Sequence, residues 1–119
     1  MADTQLASHH CEACEPGTPP LDEQQAAALT AELHPAWKRE GNTKLRRTLR
    51  FEDFKDAFGF ATRIALVAEE EGHHPDLEIG WGKVVVALTT HSAGGLTRND
   101  FIIAAKIDRL AAGTGLKQA

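Results

Sequence analysis

The chain has 119 residues, 42% of them hydrophobic and 25% charged, with a net charge of −4, which is the length and composition of one globular domain with a single core. That acidic balance gives no reason to expect nucleic acid or an anionic membrane as a partner. No apolar run reaches the ~18 residues that a membrane span needs, and no basic-then-apolar leader opens the chain, so the cytoplasm is the expected location.

Residues 1–20 hold few large apolar side chains and end in Pro16-Gly17-Thr18-Pro19-Pro20. Such a stretch buries too little surface to offset its ordering entropy, so a flexible or loosely docked segment is expected here, ahead of a single folded domain over residues 21–119. It also carries His9-His10-Cys11 and Cys14. A C-x-x-C redox motif normally opens a helix after a strand, and a closed zinc site normally takes four ligands. Neither setting is present, and a reduced, exposed segment is the simpler reading of Cys11 and Cys14.

Asp22 or Thr18 can cap a first helix in which Leu21, Ala28, Leu29 and Leu33 recur on one side, and His34-Pro35 stops it. Trp37 begins a short strand that turns at Gly41-Asn42, and a return strand runs from Lys44 to Phe51. Leu45, Leu49 and Phe51 share a face of that strand which Arg47 interrupts, so either the strand lies at an edge or its arginine reaches an acid. A long helix is predicted over residues 52–70, with an apolar arc of about half its circumference. Glu69 falls at the margin of that arc, and Gly72 is placed to end the helix.

Leu77, Ile79 and Trp81 alternate with Glu78 and Gly80 in the manner of a strand. Gly82 allows the turn into residues 83–90, which are apolar or small on both faces and therefore central in a sheet. Thr97-Arg98-Asn99-Asp100 reads as the capped start of a last helix, continued by Phe101, Ala104, Ala105, Asp108 and Ala112 and ended by Gly113-Thr114-Gly115. The order α-β-β-α-β-β-α, two hairpins separated by a helix, predicts an α+β fold: a four-stranded antiparallel sheet with three helices packed on one face. Phe54, Phe58, Ile64, Val84, Val86 and Leu88 are its expected core.

Two of these features predict an oligomer. The long helix is apolar over more than the ~100° stripe that a helix on one sheet needs, and a sheet covered on one side leaves Val85 and Ala87 facing water. A small monomer rarely exposes a large contiguous apolar patch, and a second copy related by two-fold symmetry is the simplest cover for one.

The densest chemistry lies in Glu69-Glu70-Glu71-Gly72-His73-His74-Pro75-Asp76, read with His91. Imidazole is the side chain whose ordinary pKa lets it give and take protons near neutral pH. A three-histidine site with an open position would suit hydrolytic zinc chemistry. Against this, adjacent residues of an extended segment point to opposite sides, and no H-E-x-x-H spacing occurs, so no metal is expected. Each residue also has an ordinary structural use. Loop histidines form hydrogen bonds, Asp100 suits a helix N-terminus whatever the function, Glu69 can be a solvated helix-end acid, and Trp81 can be core.

The run Glu69-x-x-x-His73-His74-Pro75, followed by Trp81, His91 and Asp100, resembles the signature of the pterin-4a-carbinolamine dehydratase family, over about Leu45 to Asp108. The resemblance implies a four-stranded sheet with three helices, in agreement with the pattern above. It implies a dehydratase acting on a 4a-hydroxytetrahydropterin, the carbinolamine left after aromatic amino acid hydroxylation, to give quinonoid dihydropterin in pterin cofactor recycling. In that setting His73 and His91 are the acid–base pair, His74 helps hold the substrate, Glu69 and Asp100 orient the imidazoles, and Trp81 stands beside the pterin pocket. No cofactor is implied, because protons and water move but electrons do not. The resemblance further implies a homodimer or a homotetramer.

Some relatives carry an acid at the position of Gly72, so any tuning of His73 here falls to Glu69 or Glu71. Other relatives act as a dimerisation cofactor of a homeodomain transcription factor, or, having lost the catalytic residues, as assembly factors for a carbon-fixing enzyme. The complete histidine set favours the enzyme over such a binding or assembly role.

Overall fold

Asp22 sets the start of the first α-helix. Its carboxylate accepts from the Gln25 N–H at 2.7 Å while the Gln25 side chain accepts from the Asp22 N–H at 3.0 Å, a reciprocal cap that satisfies two orphan donors. In the computed structural model, which describes residues 5–13 and 17–113, helix α1 spans Glu23–Thr30. It ends before His34-Pro35, and Leu33 is buried in the turn that follows.

Four strands come next: β1 (Lys38–Glu40), β2 (Lys44–Arg50), β3 (Asp76–Gly80) and β4 (Lys83–Leu88). They pair antiparallel in the order β1-β2-β4-β3. The two long helices are α2 (Phe54–Glu71), between the hairpins, and α3 (Arg98–Ala112). The predicted α-β-β-α-β-β-α order therefore holds, with short 3₁₀ turns added at Gln5–Ser8 and His91–Ala93.

Strand β4 is central, as its two-sided apolar pattern required. Register places Leu88 opposite Leu45, Val86 opposite Leu77, and Val84 between Leu49 and Ile79. Residues directly opposite one another share a face. Leu45, Leu49, Val84, Val86 and Leu88 are thus the buried inner face beneath the helices, while Arg46, Thr48 and Arg50 lie on the exposed outer one. Val85, expected to face water there, is only 8% exposed, because Thr48 and Glu78 flank it across both neighbouring strands.

Two expected core residues lie outside the core. Phe54 and Phe58 are 47% and 52% exposed, and their rings pack against each other at a tilt of 46° with centroids 5.8 Å apart. Helix α2 buries Ala57, Phe60, Ala61, Ile64 and Ala68 instead, a stripe of ordinary width. Hydrophobic periodicity locates an arc but does not say which flank the sheet covers, and here the other flank is turned outward. The N-terminal segment also differs from a bare tail: Leu6 and Ala7 are buried in the core cluster, and the Ala7 carbonyl accepts from Lys106 Nζ of α3 at 2.9 Å.

Arg47 is resolved in favour of the acid. Strand β2 is not an edge, and the Arg47 guanidinium, 2% exposed, donates to Asp108 Oδ1 of α3 at 2.5 Å. Trp37 Nε1 donates to the same oxygen at 2.8 Å, and the His34 N–H donates to Oδ2 at 2.9 Å. One carboxylate thereby ties α3 to β2 and to the chain entering β1. Asp108→Ala strands a buried guanidinium, so urea denaturation should register a loss of about 3–5 kcal/mol; a loss below about 1 kcal/mol would mean that the pair is not a structural tie.

Candidate active site

Gly72 ends α2 in the left-handed conformation, at φ +69°, with its N–H bonded to the Ala68 carbonyl at 2.9 Å. This is a helix C-terminus that glycine adopts without the cost of a Cβ. The chain is thereby turned out of the helix at His73 and, after Pro75, enters β3. Because Asp76 pairs with Ala87, the residues before β3 and those after β4 meet at one end of the sheet. A bridge between Thr90 and Gly95 closes the loop after β4 and delivers the N-terminus of α3 to the same place.

Asp100 is the centre of this meeting point and is fully buried. Its Oδ2 accepts from the Thr97 N–H at 2.9 Å and from the Thr90 hydroxyl at 2.8 Å. Its Oδ1 lies 2.6 Å from His73 Nε2. Asp100 is therefore both a helix cap and the partner of a histidine, two uses that the sequence presented as alternatives. An accepting carboxylate requires a donor, so Nε2 carries the hydrogen and Nδ1 is left as the basic nitrogen of the ring. The His73 side chain is only 13% exposed and lines a cavity of about 390 Å³, within the size range of small-ligand pockets.

The other expected residues fall differently. His74 Nε2 meets Glu69 Oε2 at 2.5 Å, but both side chains are largely exposed, and such a pair contributes little to stability. His91 is exposed on the 3₁₀ turn, between Thr90 and Ser92, which both line the cavity of His73. Trp81 is 72% exposed in the β3–β4 turn. The whole of β3, about 16 Å at the usual rise per residue, separates it from the His73 turn, so a single chain does not bring Trp81 and His73 together.

The sequence did not single out Thr90, nor the use made of Glu71. Glu71 is the last residue of α2, and its side chain is 3% exposed. Burial pushes its carboxyl up, but the Cys11 N–H, the His10 ring and the charge of Lys106 outweigh that and hold it below its ordinary range. Glu71 stands three residues after Ala68 and seven after Ile64 on the buried stripe, and that spacing was a signal available in the sequence. Among the described residues no cluster of three or more His, Cys, Asp or Glu side chains has the geometry to hold a metal ion. Cys14 lies outside the described residues.

The chain as a whole is similar to known proteins. The family model for pterin 4 alpha carbinolamine dehydratase matches residues 19–110, a longer span than the motif alone suggested. A Methylococcus capsulatus protein, provisionally named a pterin-4-alpha-carbinolamine dehydratase, is 46% identical over 90% of this chain and 94% of its own length. A similarly named Rubrobacter xylanophilus protein is 41% identical over 90% of this chain and 99% of its own. Among solved structures, a transcriptional coactivator/pterin dehydratase from Brucella melitensis superposes with a TM-score of 0.71 at 34% identity, covering 77% of this chain and 98% of that one. A pterin dehydratase-like protein identified as a RuBisCO assembly factor in the alpha-carboxysome superposes at 0.57 with 24% identity, covering 68% and 95%, and shows the shared fold alone.

The Asp100 geometry makes a direct stability prediction. Asp100→Asn keeps the shape but turns one acceptor into a donor, which must then face the Thr90–Thr97 side or the His73 ring. Loss of a satisfied acceptor at a buried site should lower stability by about 1–3 kcal/mol, seen as an earlier urea midpoint with an unchanged slope. An unshifted midpoint would show that the negative carboxylate is not required there.

Proposed function

The chain belongs to the pterin 4 alpha carbinolamine dehydratase family, and from that premise we propose that it removes water from a 4a-hydroxytetrahydropterin to give quinonoid dihydropterin by histidine general acid–base catalysis. The observation that carries this reading is the His73–Asp100 couple, a nearly buried imidazole held by a fully buried carboxylate at the wall of a cavity.

The reaction breaks the C4a–O bond, forms a C4a=N5 double bond, protonates the departing hydroxyl and takes a proton from N5. One group must give a proton and one must accept it. With Nε2 held by Asp100, His73 exchanges its proton at Nδ1, and the imidazolium that forms is stabilised by the adjacent carboxylate. His91, beside the cavity-lining Thr90 and Ser92, is the second member of the acid–base pair. His74, oriented by Glu69, helps hold the substrate. The balance closes on protons and water, so the mechanism calls for neither a redox cofactor nor a metal. The place of action is the cytoplasm, in recycling of the pterin left by a hydroxylase.

The active form in this reading is a homodimer or homotetramer. Phe54, Phe58 and Leu66 of α2, with Ile79 and Trp81 of the β3–β4 hairpin, are large apolar side chains left exposed on one chain. Such exposure is characteristic of an association surface. Light scattering at micromolar concentration should give at least twice the mass of one chain, and a strictly monomeric, active protein would contradict the association.

Steady-state turnover of the carbinolamine by the purified chain tests the chemistry. His73→Ala and His91→Ala should each lower the rate by about 10²–10⁴ without loss of fold, and His74→Ala should raise KM more than it lowers kcat. Activity should survive a strong chelator. An inactive wild-type chain, or near wild-type turnover in both the His73 and His91 variants, would overturn the reading.

A further inference from the structure

Glu71 points away from the reacting histidines' own bonds and into the N-terminal segment. Its Oε1 accepts from the Cys11 N–H at 2.7 Å, and its Oε2 meets His10 Nδ1 at 2.8 Å and Lys106 Nζ at 3.6 Å. Lys106 in turn holds the Ala7 carbonyl. One residue further along, the Asn99 side chain pairs with the backbone of Glu12 in both directions, accepting from its N–H at 3.0 Å and donating to its carbonyl at 2.6 Å. With Leu6 and Ala7 buried, residues 6–12 are fixed to the end of α2 and to α3 by apolar burial and by these polar contacts, joined by Arg98 to the His9 ring at 2.9 Å.

What this fixed segment touches gives it a role. The cavity that His73 lines is also lined by Cys11, Glu12 and Ala13, and by Thr90 and Ser92. Among the groups that hold this wall, Glu71 stands nearest in the chain to the site, immediately before Gly72 and His73, and holds Cys11 directly.

We propose that Glu71 is a positioning residue for the substrate site, latching the Cys11–Ala13 segment as a wall of the His73 cavity, so that this segment sets how tightly the pterin is held. The inference rests on the dehydratase reading for its ligand. Glu71 does not touch the reacting atoms in it. Releasing the latch admits water to one side of the cavity and removes contact area from the bound ring, while the His73–Asp100 couple stays intact. The effect therefore falls on binding and not on the chemical step.

Two measurements test the latch. Glu71→Ala should raise KM for the carbinolamine about tenfold with kcat within about twofold of wild type, and Glu71→Gln, which keeps an acceptor for the Cys11 N–H, should recover part of that loss. A purely structural role would lower the melting temperature and leave KM where it was. The second measurement keeps Glu71 and does not depend on the variant folding. In the full chain carrying Cys14→Ser, alkylation of Cys11 by iodoacetamide is followed by mass spectrometry with and without a reduced pterin lacking the 4a-hydroxyl. Severalfold slower labelling with the pterin present supports the wall. Equal labelling rates, together with an unmoved KM in an active Glu71→Ala enzyme, would overturn it. An inactive wild-type chain whose Cys11 is still shielded by the pterin would overturn the dehydratase reading and leave the wall standing.

Discussion

A carboxylate with no exposure to water, Asp100, is the constraint around which the His73 end of this molecule is built. Burying a single ionised group costs several kcal/mol unless its lone pairs are met. Asp100 meets that cost with the Thr97 N–H, the Thr90 hydroxyl and the His73 ring, at the positive end of α3. The donors come from three separate parts of the chain: the turn after α2, the loop after β4 and the N-cap of α3. Satisfying one buried charge therefore assembles three segments, and the arrangement that satisfies it also fixes the histidine.

Helix α3 uses the same device twice. Eight residues beyond Asp100, Asp108 collects Arg47, Trp37 and His34, and so ties the other side of the sheet and the chain entering β1 to the same helix. The two acids divide the labour along one rigid element. Asp108 makes α3 part of the frame, and Asp100 fixes His73 to that frame. A site carried on helix ends and strand ends holds its geometry better than one carried on a free loop, and the left-handed Gly72 lets His73 leave α2 directly into that site.

Much of this was legible in the residues. Apolar patterns located β2, β3, β4 and the two long helices, the turn at Gly41-Asn42 located β1, and the two-sided apolar run of Val84 to Leu88 correctly implied a central strand. Legibility failed where a property depends on what lies across the fold. The arc of α2 was visible, but the covered flank is chosen by the sheet, which took Ile64 and Phe60 and left Phe54 and Phe58 outside. Arg47 announced that it needed an acid, but its partner is 61 residues away and no local rule selects it. The docking of the N-terminal segment was the least legible. It rests on Leu6, Ala7 and backbone bonds to Glu71 and Asn99, and composition averaged over twenty residues cannot register so few contacts.

The central claim is that Asp100 holds His73 by Nε2 and leaves Nδ1 to exchange a proton with the substrate. Nitrogen-15 NMR of the histidine-labelled chain reads this directly, since the two ring nitrogens of a neutral imidazole resonate far apart according to which one carries the hydrogen. The account predicts that neutral His73 is the Nε2–H tautomer, that saturating reduced pterin shifts its Nδ1 resonance, and that Asp100→Asn disturbs the tautomer. A His73 ring protonated on Nδ1 in the neutral state, or one whose Nδ1 resonance is indifferent to the pterin, would contradict it.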